Sequence, residues 1–409
     1  MRFPLLNYNH AFNNELVKLK EEGRYREFVP LSRMMGDFPY ALWHCNGDQQ
    51  KEVIVWCTND YLNMSHNKQV VRSFQEAAQY YGVGSGGTRN IAGTSYPHLL
   101  LENEMADLHQ KEAALTFSSG YAANEGSLSA LSNAFKNMVI FSDEKNHASM
   151  IQGIREGKGA YKIFKHNDMD HLESLIKDLP LSQPKLIAVT SVYPMLGDFA
   201  KLEQLCDLAE KYNALLYVDE VHAMGMYGPE GDGLVAHFNL QDKVHIIQGN
   251  FAKGYGAIGG YIAGSASIVD YIRSFASSFI FTTSLPPATT QAALESVKYL
   301  RKSTIEREKL WHNVALLKES LRHHNVPFIK NESHIVAVII GGASYCKHFC
   351  DRLLIEYGIY LQPINYPTVP LGQEMVRITI TPEHTLEMIN GLAQALNELL
   401  NENKRLEAA

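Results

Sequence analysis

The chain has 409 residues, 45% of them hydrophobic and 20% charged, with a net charge of -7. That is an ordinary globular composition, with length for two domains or one large domain and an appendage. The negative balance and the lack of a dense Lys/Arg run exclude nucleic-acid binding as the main function. No apolar run approaches the roughly 20 residues of a bilayer span, and the first ten residues lack a signal-peptide core. A cytoplasmic protein without membrane or nucleic-acid partners is expected. Five cysteines (Cys45, Cys57, Cys206, Cys346, Cys350), with one close pair, point to reduced thiols rather than a zinc site.

In chain order, the periodicity predicts a helix over 12–22, stopped by Gly23, and a short apolar run over 52–57. A helix over 67–80 leads into the glycine-rich stretch Gly82-Val83-Gly84-Ser85-Gly86-Gly87-Thr88, and another helix follows over 98–111. Strand-like runs then alternate with helical ones. The strands are expected at 113–117, 138–142, 161–164, 185–190, 214–218, 244–248 and 258–263. Helices are expected at 148–156, 169–177 and 201–212. Short apolar runs alternating with helices predict an α/β fold around a mostly parallel sheet covered on both faces. Such sheets bind ligands outside the carboxyl ends of their strands. From 288 the pattern changes to a long helix (288–322), a strand (334–340), a helix (346–357) and a strand (375–380), a small C-terminal α+β domain. The expected boundaries are 1–60 for an N-terminal segment, 61–290 for the large domain and 291–409 for the small one.

Two residues at strand ends stand out. Asp219 directly follows Leu215-Leu216-Tyr217-Val218, and burying a carboxylate there costs several kcal/mol unless it is paired. A protonated pyridine nitrogen is one suitable partner; a helix-capping role is the other reading. Lys253 lies among small and aromatic residues, with no other charge within five positions on either side. Such a lysine, downstream of such an acid, fits a pyridoxal phosphate (PLP) enzyme, in which the lysine holds the cofactor as a Schiff base and the acid keeps the ring nitrogen protonated. His147, after the strand at 138–142, either stacks on a cofactor ring or sits incidentally in a helix cap. Ser119, Gly120 and Tyr121 open a helix whose N–H groups suit a phosphate, unless they form only a turn. Thr282 and Thr283 offer hydroxyls to a phosphate or to a helix cap.

Several segments carry a more specific resemblance: EGRYREF (22–28), WCTNDYL (56–62), GGTRNIAGT (86–94), LHQKEAAL (108–115), SDEKNHASMIQGIR (142–155), DEVHAMGMYGP (219–229), FIFTTSLPP (279–287) and LQPINYPTVP (361–370). Over nearly its whole length the chain resembles the α-oxoamine synthases, PLP enzymes of fold type I (aspartate-aminotransferase-like), and within them the 5-aminolevulinate synthases. The resemblance implies condensation of glycine with succinyl-CoA, with decarboxylation, for tetrapyrrole synthesis or a specialised pathway. It also implies a homodimer with shared sites. On this chain it makes Lys253 the Schiff-base and proton-transfer residue, Asp219 the partner of the ring nitrogen, and His222 the partner of the ring phenolate oxygen. His147 stacks on the ring. Ser119, Gly120, Tyr121 and Asn250 lie at the phosphate, with Thr282 and Thr283 reaching in from a second subunit. Arg377 and Asn59 hold the glycine carboxylate. Arg26, Thr88 and Asn90 hold the far carboxylate of succinyl-CoA, Ser142 adds a substrate contact, and Thr368 rides on a closing loop.

The chain departs from that pattern at a few places. Pro194 stands where a cofactor-contacting serine is usual and brings neither hydroxyl nor N–H. Leu196 replaces an acid, Asn250 a threonine, Ala92 a serine and Tyr161 a CoA-contacting lysine. Two alternatives therefore stay open: a synthase using another acyl thioester or amino acid, and a catalytically weak PLP-binding paralogue.

Overall fold

The computed structural model describes residues 6–45 and 49–407. The chain opens with α1 (Tyr8–Glu21), capped by the Asn7 side chain accepting from the His10 N–H. Strands β1 (Leu31–Ser32), β2 (Tyr40–His44) and β3 (Gln50–Val55) follow. Next come α2 (Lys68–Tyr81) and α3 (Tyr96–Leu108). The central run is β4 (Ala113–Phe117), α4 (Gly120–Ser132), β5 (Val139–Asp143), α5 (Ala148–Glu156), β6 (Ala160–Phe164), α6 (Met169–Ile176), β7 (Lys185–Thr190), α7 (Leu202–Lys211) and β8 (Leu215–Asp219). It continues through α8 (Leu234–His237), β9 (Ile246–Asn250), β10 (Gly260–Gly264), α9 (Ala266–Phe275), α10 (Ser277–Ile280) and α11 (Pro287–Lys302). The last elements are α12 (Ile305–His323), β11 (Ile335–Ile339), α13 (Ala343–Tyr357), β12 (Ile359–Tyr360), β13 (Pro363–Ile364), β14 (Met375–Thr379) and α14 (Leu386–Glu407).

These elements form two compact units. The larger is Asn59–Pro194 with Asp198–Lys309; the other is Met1–Thr58, Met195–Gly197 and Leu310–Ala409. The larger unit is built on a seven-stranded sheet of order β4-β10-β9-β8-β7-β5-β6. β10 runs antiparallel to β4 and β9, and the other pairs are parallel. Every residue of β5, β7 and β9 is buried. Strands buried on both faces need no polar alternation, so they read as unbroken apolar runs. The α/β class and the mostly parallel sheet expected from the sequence are what the chain forms.

The other unit has a four-stranded sheet (β1-β2-β3-β12) and a three-stranded one (β11-β14-β13). Thr379 joins them: its N–H donates to the Trp56 carbonyl (2.8 Å) and its hydroxyl to the Thr58 carbonyl (2.6 Å).

The single helix expected over 288–322 is two helices. Between them the Ser303 hydroxyl donates to Glu306 (2.6 Å) and the Thr304 hydroxyl to Glu308 (2.7 Å). Ser and Thr bonding forward in this way start a new helix rather than continue the old one. Among the described residues no helix is long and apolar enough to cross a membrane.

Candidate active site

The carboxyl ends of β5, β8 and β9 carry the polar groups that the sequence singles out. Asp219 closes β8, paired in register with Thr190 on one side and Gln248 on the other. It is 3% exposed. Its Oδ1 accepts from the Val221 N–H (2.9 Å) and its Oδ2 from Asn124 Nδ2 (2.8 Å). Burial pushes its carboxyl up; Asn124, the Val221 N–H and the charges of His147 and Lys253 pull it back. A carboxylate so placed gains more from a nearby cation than one in water.

His147 caps α5, where Ser149 lies within reach of its ring: Ser149 Oγ is 2.7 Å from its Nδ1, and the Ser149 N–H donates to the same nitrogen (3.2 Å). Burial lowers its pKa, Asp219 opposes this and the Lys253 charge adds to it. Burial thus favours the uncharged imidazole, and Ser149 orients it. His222 is buried, with its Nδ1 2.8 Å from the Tyr61 hydroxyl, which also approaches Asn59 Oδ1 (3.5 Å). Between Asp219 and His222, Glu220 is fully buried. Burial raises it to about 7, while the N–H groups of Leu234 and Val235 bind it at 2.9 and 2.8 Å. It pins the loop that carries its two neighbours.

Lys253 is half-buried in a tight turn after β9, where the Gly256 N–H donates to its carbonyl (3.0 Å). The turn lies against the loop after β8, and a Cβ at Gly254 would run into the Met224 carbonyl. Ser119 is the N-cap of α4, its hydroxyl accepting from the Ala122 N–H (3.1 Å). Gly120 opens that helix beside Asn250: a Cβ there would lie 3.0 Å from the Asn250 Cβ. Asn250 is 6% exposed, and its Oδ1 has no hydrogen-bond partner among the described residues. Tyr121 is half exposed. Thr282 is half-buried and Thr283 exposed; the latter forms a bridge with Thr88. Thr88 is half-buried, its Oγ1 without a partner among the described residues, and Asn90 is exposed. Ser142 is buried within β5, its hydroxyl accepting from Asn146 (3.0 Å) and donating to the Asp143 carbonyl (3.3 Å).

The remaining residues belong to the other unit. Arg377 lies on β14 and lines a cavity of about 360 Å³ with Arg33, Cys57, Thr58 and Gln362. Burial pushes the Cys57 thiol up to about 11, against the Arg377 charge. Arg26 is exposed, its Nη2 3.5 Å from the hydroxyl of the exposed Thr368. Beside it, Arg24 Nε donates to the Tyr366 carbonyl (3.4 Å) and its guanidinium lies 4.8 Å over the Tyr366 ring. Asn365 Nδ2 donates to the Gly23 carbonyl (3.3 Å). The segments GRYR and NYPTVP, 342 residues apart, are therefore packed together.

With this geometry in hand, comparisons with known proteins give a consistent result. The family description "Aminotransferase class I and II" matches residues 51–396. The 5-aminolevulinate synthase of Bradyrhizobium diazoefficiens is 48% identical over 391 residues, spanning 96% of this chain and 95% of that one. That of Rhodobacter capsulatus is 47% identical, spanning 96% and 97%. The chain belongs to the 5-aminolevulinate synthase family. Among solved structures, serine palmitoyltransferase from S. paucimobilis with a bound PLP–myriocin aldimine is similar at a TM-score of 0.88 and 28% identity, covering 97% of this chain and 99% of that one. The 8-amino-7-oxononanoate synthase of Francisella tularensis is similar at 0.73 and 26%, covering 87% and 99%. The fold is that of the PLP-dependent aminotransferases, and the cofactor of this 5-aminolevulinate synthase family member is PLP. Asp219, buried and deprived of water, suits the ring proton.

Three supporting residues escaped the sequence reading. Asn124, Ser149 and Tyr61 hold Asp219, His147 and His222 in place. The available signal for Asn124 was its position: it falls on the face of α4 formed by Ala123, Ser127, Leu128 and Leu131, all buried. A polar side chain there must have a partner.

Proposed function

We propose that this chain condenses glycine with succinyl-CoA to give 5-aminolevulinate, CoA and CO2, with PLP bound at the carboxyl ends of β5, β8 and β9. The observation that carries the site is the buried Asp219 carboxylate, held by Asn124 and the Val221 N–H and within electrostatic reach of His147 and Lys253. When bound, PLP supplies an electron-accepting ring that stabilises negative charge at the glycine Cα.

The chain's own residues do the rest. Asp219 keeps a proton on the ring nitrogen, and its burial makes that pairing strong. His147, fixed by Ser149, offers a flat neutral ring to stack. His222, oriented by Tyr61, meets the ring oxygen. Lys253 anchors the cofactor, and its freed amine takes the proton from the glycine Cα and later returns one. Arg377 grips the glycine carboxylate with a bidentate donor set, assisted by Asn59. Arg26, Thr88 and Asn90 take the far carboxylate of succinyl-CoA, a strongly hydrated group that needs a charge-assisted partner. Ser119, Gly120, Tyr121 and Asn250 take the phosphate.

The working unit is a homodimer in the cytoplasm, with Thr282 and Thr283 contributed across subunits. In support, large apolar side chains point outward at Phe28 (98% exposed), Ile91 (84%) and Phe281 (80%), surface that a second copy would remove from water.

The test is direct. Purified holoenzyme is given glycine and succinyl-CoA, and CoA release and product mass are followed beside Lys253→Ala. Equimolar CoA and 5-aminolevulinate are expected. No product above the Lys253→Ala background would end this reading.

A further inference from the structure

The glycine-rich loop before α3 contains a charged residue that no substrate role uses. Arg89 lies between Thr88 and Asn90, yet its side chain is only 9% exposed. Its guanidinium grips Glu102 of α3 through two nitrogens, Nη1 to Oε1 at 2.6 Å and Nη2 to Oε2 at 3.0 Å. Glu102 is itself 11% exposed and also accepts from the backbone N–H of Thr116 in β4 (2.8 Å). Arg89 further donates to the Thr116 hydroxyl (2.9 Å) and, through Nε, to Thr94 Oγ1 (3.1 Å). Thr94 returns a bond to the Arg89 carbonyl (2.6 Å).

A second set of bonds closes the loop. The Gly93 N–H donates to the Thr88 carbonyl (2.8 Å), and Ser284 donates through its N–H to Gly87 (3.0 Å) and through its hydroxyl to Gly93 (2.6 Å). A Cβ at Gly93 would run into the Gly87 carbonyl and the Ser284 hydroxyl. The loop is thus a closed knot with one buried peg. A buried bidentate ion pair has little freedom to shift, because any shift leaves a desolvated charge unpaired. The backbone at both neighbours of Arg89 is therefore fixed from below, while the Thr88 hydroxyl has no partner among the described residues and Asn90 stays exposed.

We propose that Arg89 is a positioning residue for donor specificity: paired with Glu102, it sets Thr88 and Asn90 to receive the far carboxylate of a dicarboxylic acyl thioester. The inference rests on the succinyl-CoA reading above. A donor without that carboxylate has no use for the positioned pair, which separates positioning from general structural support.

The experiment compares holoenzyme turnover of succinyl-CoA and butyryl-CoA, each with saturating glycine. Arg89→Lys keeps the charge but cannot span Glu102, Thr116 and Thr94 at once. The double variant Arg89→Gln/Glu102→Gln removes both buried charges together and carries the test if the lysine variant does not fold. Melting temperature and PLP absorbance verify folding. The expected result is a KM for succinyl-CoA raised about tenfold, the scale of one charge-assisted contact. kcat stays within about twofold and butyryl-CoA efficiency is unchanged, so the preference between donors falls by about the same factor. A wild-type preference that survives in a folded variant, or equal losses with both donors, overturns the inference alone. A wild-type enzyme with no preference for succinyl-CoA removes the donor reading and the inference with it.

Discussion

At the scale of single residues, the state of Asp219 depends on Asn124. The Asn124 amide donates to Asp219 Oδ2 and to Ser149 Oγ (3.1 Å), and its Oδ1 accepts from the Tyr217 hydroxyl (2.8 Å). Ser149 in turn meets His147, so one asparagine ties Asp219 to His147. Replacing it by leucine keeps the volume but takes a donor from a carboxyl that burial already pushes up. We expect Asn124→Leu to favour the protonated Asp219, weaken PLP binding at least tenfold and cost about 1–3 kcal/mol of stability. Equilibrium PLP titration by absorbance and a denaturant melt check both; unchanged PLP affinity would sink the argument. Lys253 and Asp219 were legible in the sequence because each follows an apolar strand and stands out chemically. Asn124 was not, because its partner Asp219 is 95 residues away and an asparagine in a helix carries no mark of its role.

At the scale of elements, the ends of β5, β6 and β7 are fastened by a histidine between two acids. His166, just past β6, places Nδ1 2.9 Å from Asp143 Oδ1 and Nε2 2.6 Å from Asp198 Oδ2, with the Tyr193 ring edge-on at 4.4 Å. Burial alone would lower its pKa; the two carboxylates outweigh burial and raise it to about 9. A raised folded-state pKa means the stabilisation is complete below the unfolded value near 6.5 and is lost as pH climbs through about 9. The contribution is on the order of 2–3 kcal/mol. Urea midpoints should therefore fall between pH 6.5 and 9 in the wild type and stay nearly flat over that window in His166→Gln. Equal slopes in both proteins would contradict this.

Elements of this sheet were the most legible part of the chain. β4, β7 and α5 fall where the apolar periodicity puts them, to the residue. The elements of the other unit were less so. β2 and β3 are partly exposed strands whose short apolar runs come with mixed burial and no clean alternation.

At the scale of the whole molecule, an alternation of strands and helices was enough to place the sheet. The brief departure of the chain from the larger unit was not legible. Residues 195–197 leave the larger unit because Asn331 Nδ2 holds the Leu196 carbonyl (2.8 Å) and Gly197, at φ +72°, lies against Asn331 and Ser333. A three-residue excursion of this kind has no periodicity to read. The groups assigned to PLP come instead from the ends of several separate strands and helices of the larger unit: β5 with α5, β8, β9 and α4. A ligand contacting all of them binds only the folded arrangement, so it adds RT ln(1 + [L]/Kd) to stability. At a hundredfold excess over Kd that is about 2.7 kcal/mol, or roughly 5–10 °C in Tm for a unit of this size. PLP removal should lower Tm by that amount in the wild type, and by much less in Asp219→Ala, where the ring proton loses its partner. Calorimetry of the resolved and reconstituted proteins measures both. A PLP-dependent rise of equal size in the two would mean that Asp219 does not hold the cofactor.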